Sequence, residues 1–459
     1  MKTELAPSSG AERSIFRRLF DLAMPIVGLN LLNVLTLAID TAMCGRLLDA
    51  DDALAALGFA TQLIFLLMVA MLGLTVGTVA SLARAHGAGE AHRVNHVLQQ
   101  SILLTYAVSA AVAVLGNLGA GPAMRWLGAE GEVAELGVAY LRPLLTFTVF
   151  YYLNMLFAAA LRAVGNTVLP FLVALISTVV NVVLNYGLIL GRLGLPAMGV
   201  RGAAWGTVLA QLVAVLLITL ILRRDVIPGM RARLGWAPID RELTWRLFRI
   251  GAPAALDMVV LNVAFLSIVG MLARVAQVTV AAHGIGLRIQ SLSFVPGLGV
   301  SQATGAMVGS SLGASNVSQA REVVRSAVIL CTSIMSAIGI GIIVGAPAIL
   351  LVFGVEPATE LGRYALLWMR ILGWGMPVVG VHIALLGMFR GAGATRTSLL
   401  INLIATLGLQ VPLSYLLGFV VGWGAFGIWI ALPASYALRM FLSIWAYRHG
   451  GWARTGASL

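Results

Sequence analysis

Apolar runs long enough to cross a bilayer recur along this chain from residue 17 to residue 447, separated only by short polar breaks. A hydrocarbon core of roughly 30 Å takes about 20 apolar residues per helical crossing. The runs do not alternate polar with apolar positions as barrel strands must, so the chain reads as an all-α polytopic membrane protein. Twelve spans follow, near 17–45, 54–82, 95–119, 134–160, 166–190, 199–222, 245–272, 280–309, 321–349, 362–388, 396–420 and 424–447. Only 10% of the residues are charged, which leaves no room for a separate soluble domain. The organisation expected is a cytoplasmic tail (1–16), an N-terminal lobe (17–222), a linker (223–244), a C-terminal lobe (245–447) and a second tail (448–459).

The net charge of +12 sits in short connections beside the spans, including Arg84, Arg93, Arg162, Arg223, Arg224, Arg390 and Arg448. The opposite loops collect acids such as Asp51, Asp52, Glu130, Glu132 and Glu356. This asymmetry places both termini in the cytoplasm of a prokaryotic inner membrane, and assigns the basic residues to topology and anionic lipid headgroups and not to nucleic acid. The opening segment has no short apolar core followed by a cleavage site and reads as a retained tail. Cys44 and Cys331 lie far apart in apolar surroundings and read as packing residues. No GxxxxGK[ST] loop, HExxH helix or CxxC pair is present, so no enzyme chemistry or cofactor is expected.

The two halves repeat. "LFDLAMP" (19–25) answers "LFRIGAP" (247–253), "YLRPLL" (140–145) answers "WMRILG" (368–373), and "LRAVGNT" (161–167) answers "FRGAGAT" (389–395), each 228 residues apart. Six spans per half is an even number, so both halves have the same orientation and are related by an axis along the membrane normal, with room for a cavity between them.

A charge at the bilayer centre costs on the order of 3 kcal/mol on insertion scales, so acids inside spans mark candidate sites. Only Asp40 and Asp257 lie well inside. Asn30, Asn33, Thr36 and Asp40 share one face of the first span, and Thr178, Asn181 and Asn185 form a polar stripe on the fifth. The two stripes either enclose Na⁺ or a proton at Asp40 or are interhelical hydrogen bonds. Asp257, one turn beyond Pro253, is either a contact for a cationic substrate or a carboxylate bonded to backbone groups that the proline frees. His382 relays protons or packs. Tyr151, Asn154 and Trp374 line a cavity for flat cations or pack. Arg142 and Arg370 read as anchors at the outer face. Apart from these two and Arg288, the spans show no interior basic residue.

With these motifs in hand, the chain resembles the multidrug and toxic compound extrusion (MATE) family over its whole length. The resemblance rests on "DTAMCGR" (40–46), "LRAVGNT" (161–167), "NVVLNYGLILG" (181–191) and "GVRGAAWGT" (199–207). It implies a monomeric antiporter that couples inward H⁺ or Na⁺ movement to the efflux of organic, cationic, amphipathic drugs. It also implies that Asp40, Asn181, Asn185 and Thr207 form the coupling site, with Asn33 and Thr36 shaping it. NorM-like members add second-lobe acids, but here the matching seventh-span positions are Leu261 and Asn262, and the tenth span has no acid. That favours coupling in the first lobe, as in DinF-like members. A lipid-linked precursor flippase of the same superfamily is the alternative; it calls for a strongly basic cavity.

Overall fold

The computed structural model describes residues 14–47, 50–224, 230–231, 235 and 237–454. Its helices are α1 (Ile15–Cys44), α2 (Ala50–Gly87), α3 (Ala91–Trp126), α4 (Gly131–Thr146), α5 (Thr148–Ala163), α6 (Val168–Leu190), α7 (Val200–Arg223), α8 (Arg241–Val275), α9 (Gln277–Gly313), α10 (Val317–Val352), α11 (Glu360–Gly391), α12 (Thr395–Leu403), α13 (Val411–Tyr415), α14 (Gly424–Arg448) and the short α15 (Gly451–Arg454). Most of the first tail, most of the linker and the last five residues lie outside the described residues.

Ten helical segments are long and apolar enough to cross a membrane, Thr395–Val420 counted as one, and α4 and α5 form a further apolar pair bent by 56°. The bend follows Pro143, whose ring denies one helical hydrogen bond just before the break at Phe147. The helix α9, at the place of the eighth expected span, is not among the ten; its glycines let it pack closely against both halves. The eleventh span runs from α12 to α13 through a π-helical segment, Ile404–Gln410, and ends in a second, Leu416–Val420.

Each half's first helix begins in the core of the other half. Leu19, Ala23 and Ile26 of α1 belong to one buried apolar cluster with Ile268, Met335, Trp368 and Trp429 of the C-terminal half. Leu247, the repeat partner of Leu19, packs with Met71, Leu98 and Ile218. Glycines bring the halves together along a seam. A Cβ at Gly73 would meet the Gly251 carbonyl at 2.9 Å and one at Gly77 the Leu247 carbonyl at 2.6 Å, while Cβ atoms at Gly87 and Gly313 would overlap the carbonyls of Ser310 and Arg84. These contacts run toward the face where α1 begins and α14 ends, where Arg84 Nη2 also donates to the Ala392 carbonyl at 2.9 Å.

Candidate functional site

Asp40 is partly buried on α1 and faces α6. Asn185 Nδ2 donates to Asp40 Oδ1 at 2.6 Å and to Asn181 Oδ1 at 3.3 Å. Asn181 Nδ2 in turn donates to Thr207 Oγ1 at 3.3 Å, and the Thr207 hydroxyl donates to the Ala203 carbonyl at 3.0 Å. Thr36 and Thr178 hydroxyls meet at 3.2 Å. The two stripes therefore face each other, and Asp40, Asn185, Asn181 and Thr207 form a network joining α1, α6 and α7. Asn33 does not join it: it faces the cavity between the halves, next to Asn30.

The network depends on a residue that pattern reading missed. Asn185 is fully buried, and a Cβ at Gly206 on α7 would overlap its Oδ1. Gly206→Ala should push the carboxamide away from Asp40 and impair transport while the helices remain in place. Export assays beside circular dichroism would show this, and wild-type export by Gly206→Ala would refute the role.

Asp257 has no cavity contact and no backbone partner, contrary to both sequence readings. It is 1% exposed and accepts from Asn402 Nδ2 at 2.6 Å and Ser398 Oγ at 3.3 Å, with Arg390 Nη2 at 3.5 Å. The pair Asp257–Asn402 mirrors Asp40–Asn185: both acid–amide pairs are 145 residues apart in sequence and link equivalent helices. Asp257 follows Asp40 by 217 residues whereas the halves repeat at 228, so it lies about three turns nearer the termini-side face on the same side of its helix. Arg390 neutralises it. Removing one member of a buried ion pair costs about 3–5 kcal/mol, so Asp257→Ala should lower the thermal unfolding midpoint in detergent markedly, and Asp257→Ala with Arg390→Leu should regain part of it. An unchanged midpoint in the single variant would contradict this.

Between the halves lies a cavity of about 300 Å³. Tyr151 and Asn154 line it, and Asn154 Nδ2 donates to Gln211 Oε1 at 2.6 Å. Trp374 does not; it is 76% exposed on the outer surface of α11. His382 lines a separate cavity inside the C-terminal half, bonded through Nδ1 to Ser443 Oγ at 3.1 Å and sharing that cavity with Arg439. Arg439 Nη2 donates to Thr406 Oγ1 at 2.6 Å and Gln410 Oε1 at 3.2 Å, both on the π-helical segment.

The interior basic residues are also not those expected. Arg142, Arg288 and Arg370 are exposed. Arg162 and Arg390, which the sequence reading assigned to connections, line the inter-half cavity, and no acidic side chain does. The cationic substrate implied by the resemblance meets no carboxylate in this lining, and the guanidinium of Arg162 opposes it. Among the described residues no group of three or more His, Cys, Asp or Glu is placed to hold a metal ion.

The MatE family model matches this chain twice, over residues 25–187 and 253–416, two stretches that begin one repeat length apart. The chain is 26% identical to "Probable multidrug resistance protein NorM" of Thermotoga maritima, covering 96% of this chain and 94% of that one. It is 25% identical to "Probable multidrug resistance protein YoeA" of Bacillus subtilis, covering 98% and 97%. Among solved structures, a MATE crystal structure in the bent conformation superposes with a TM-score of 0.88 at 22% identity over 97% of this chain and 98% of that one. A second, an outward-facing MATE transporter, does so at 0.88 and 23%, over 96% and 97%. With its duplicated helical halves, its seam and two full matches to the family model, this chain belongs to the MatE family of multi-pass membrane transporters.

Proposed function

We propose that the protein is a proton-coupled exporter of amphipathic organic compounds, with Asp40 as the coupling acid. The observation that carries this is the carboxylate–carboxamide network at Asp40, set apart from the cavity on a helix that reaches into both halves. The amide nitrogen of Asn185 has two acceptors, Asp40 Oδ1 and Asn181 Oδ1. The carboxylate thus meets a donor where Na⁺ would need an oxygen. A proton suits this arrangement: it removes the charge from Asp40 and makes one carboxyl oxygen a donor, while the other can still accept from Asn185. Pro25 lies within the stretch of α1 held in the opposite core, about four turns before Asp40, and gives the helix a place to bend.

With both termini cytoplasmic, the glycine seam closes the cavity on the cytoplasmic side, a state ready to release its cargo outward. The names of the NorM and YoeA relatives support multidrug export. The test is transport by the purified chain in proteoliposomes with either a proton or a sodium gradient imposed alone. Export driven by the proton gradient is expected, and export driven only by sodium would overturn the assignment. A lipid-linked precursor flippase is the second reading, favoured by Arg162 and Arg390 in the cavity. Flipping of a fluorescent lipid-linked diphosphate with no export of free compounds would establish it instead.

A further inference from the structure

We infer that the cavity between the halves is an anion site, in which Arg162 takes the carboxylate, sulfonate or phosphate of an amphipathic compound and Arg390 faces it from the opposite half. The site deepens the export reading and rests on it only in that the bound anion is then carried across the membrane. Arg162 and Arg390 are repeat partners, 228 residues apart, each one residue from the end of its helix, α5 and α11. The duplication therefore brings one guanidinium from each half to the same cavity.

The halves differ in what neutralises these charges. In the C-terminal half Asp257 lies beside Arg390. One repeat length earlier, position 29 is leucine, and Leu29 lines the cavity. Arg162 has neither an ion pair nor a hydrogen bond among the described residues. Arg390 keeps Nε and Nη2 without a hydrogen-bond partner even beside Asp257. An unpaired charge against an apolar wall is costly, and a guest anion removes that cost while a guest cation adds to it. Guanidinium is also the side chain best matched to a planar or tetrahedral oxyanion. Leu72, Val76 and Met155 supply the apolar wall for the rest of the guest, and Gln211 and Gln302 add polar contacts.

The test uses the full chain in nanodiscs and three probes with one apolar body: 1-pyrenebutyrate, 1-pyrenebutanol and a pyrenebutyl trimethylammonium. The butyrate is expected to bind about tenfold or more tighter than the other two, as one charge-assisted pair predicts. Arg162→Gln should erase the preference, and Arg162→Lys should retain its sign. Leu29→Asp, which gives Arg162 an internal counter-charge as Asp257 gives Arg390, should erase it with the guanidinium still present. Equal affinities for the three probes, tighter binding of the ammonium, or an undiminished preference in both Arg162→Gln and Leu29→Asp would overturn the inference. Butyrate binding lost on changing phosphatidylcholine to phosphatidylglycerol nanodiscs assigns the site to a lipid phosphate, and binding retained assigns it to a free compound; both support an anion site. A sign preference without gradient-driven transport would instead refute the export reading and leave the site standing.

Discussion

Asp40→Asn should reduce proton-driven export in proteoliposomes to the level of vesicles without protein, while the variant inserts, purifies and melts like the wild type. The side chain keeps its shape, and its carbonyl oxygen can still accept from Asn185 Nδ2, so the α1–α6 contact seen at 2.6 Å is preserved. What is lost is the ability to gain and release a proton. An ionisable group inside a span costs on the order of 3 kcal/mol on insertion scales, and a neutral asparagine would make the same packing contact without that cost. The charge is therefore retained for what it does during the cycle. Exchange of a substrate across the membrane with no gradient should survive in the variant, because it needs alternation but no net proton movement. Uphill export at the wild-type rate by Asp40→Asn would remove Asp40 from the coupling role and leave the acid as a packing element.

Asp40 was visible in the sequence because the bilayer makes a lone acid in an apolar run conspicuous, and its partners were visible because helical spacing put Thr178, Asn181 and Asn185 on one face. The same logic hid Arg162 and Arg390. A basic residue at a helix end reads as a topology signal, since hydropathy ends a span at the first charge, whereas here the helices run through that charge into the protein interior. The signal that would have found them was the repeat itself, which pairs the two arginines at 228 residues and pairs Asp257 with a leucine. The symmetry of the acid–amide pairs was hidden for a different reason. Their offset is 217, a slip of three helical turns that leaves the face unchanged but defeats alignment at a fixed spacing. Gly206 was beyond reach, because its importance lies in a contact across two helices that no local pattern encodes. Trp374 shows the converse: an aromatic inside a span says nothing by itself about whether it faces cavity or lipid.

Gly313→Leu should open the seam on the termini-side face and collapse export, and Gly87→Leu should do the same from the other half. A Cβ at either position would overlap a backbone carbonyl, of Arg84 for Gly313 and of Ser310 for Gly87, and backbone in a packed helix cannot swing aside as a side chain can. Overpacking of this kind costs about 1–3 kcal/mol. That cost falls only on the state in which the halves touch, so it shifts the balance between closed and open seams by roughly five- to 150-fold. The shift can be read with Ala174→Cys, which places a thiol at a partly exposed position of the cavity lining. Both native cysteines are fully buried, so an impermeant maleimide reports on the new thiol alone. In the otherwise wild-type chain the thiol should react only from the side opposite the termini, and adding Gly313→Leu should make it react from the termini side. Gly58→Leu serves as the control, because a Cβ there meets nothing within 4 Å; it should leave labelling and export unchanged. A Gly313→Leu protein that exports normally and labels like the wild type would show that the seam is not the gate, and that the halves part along some other surface.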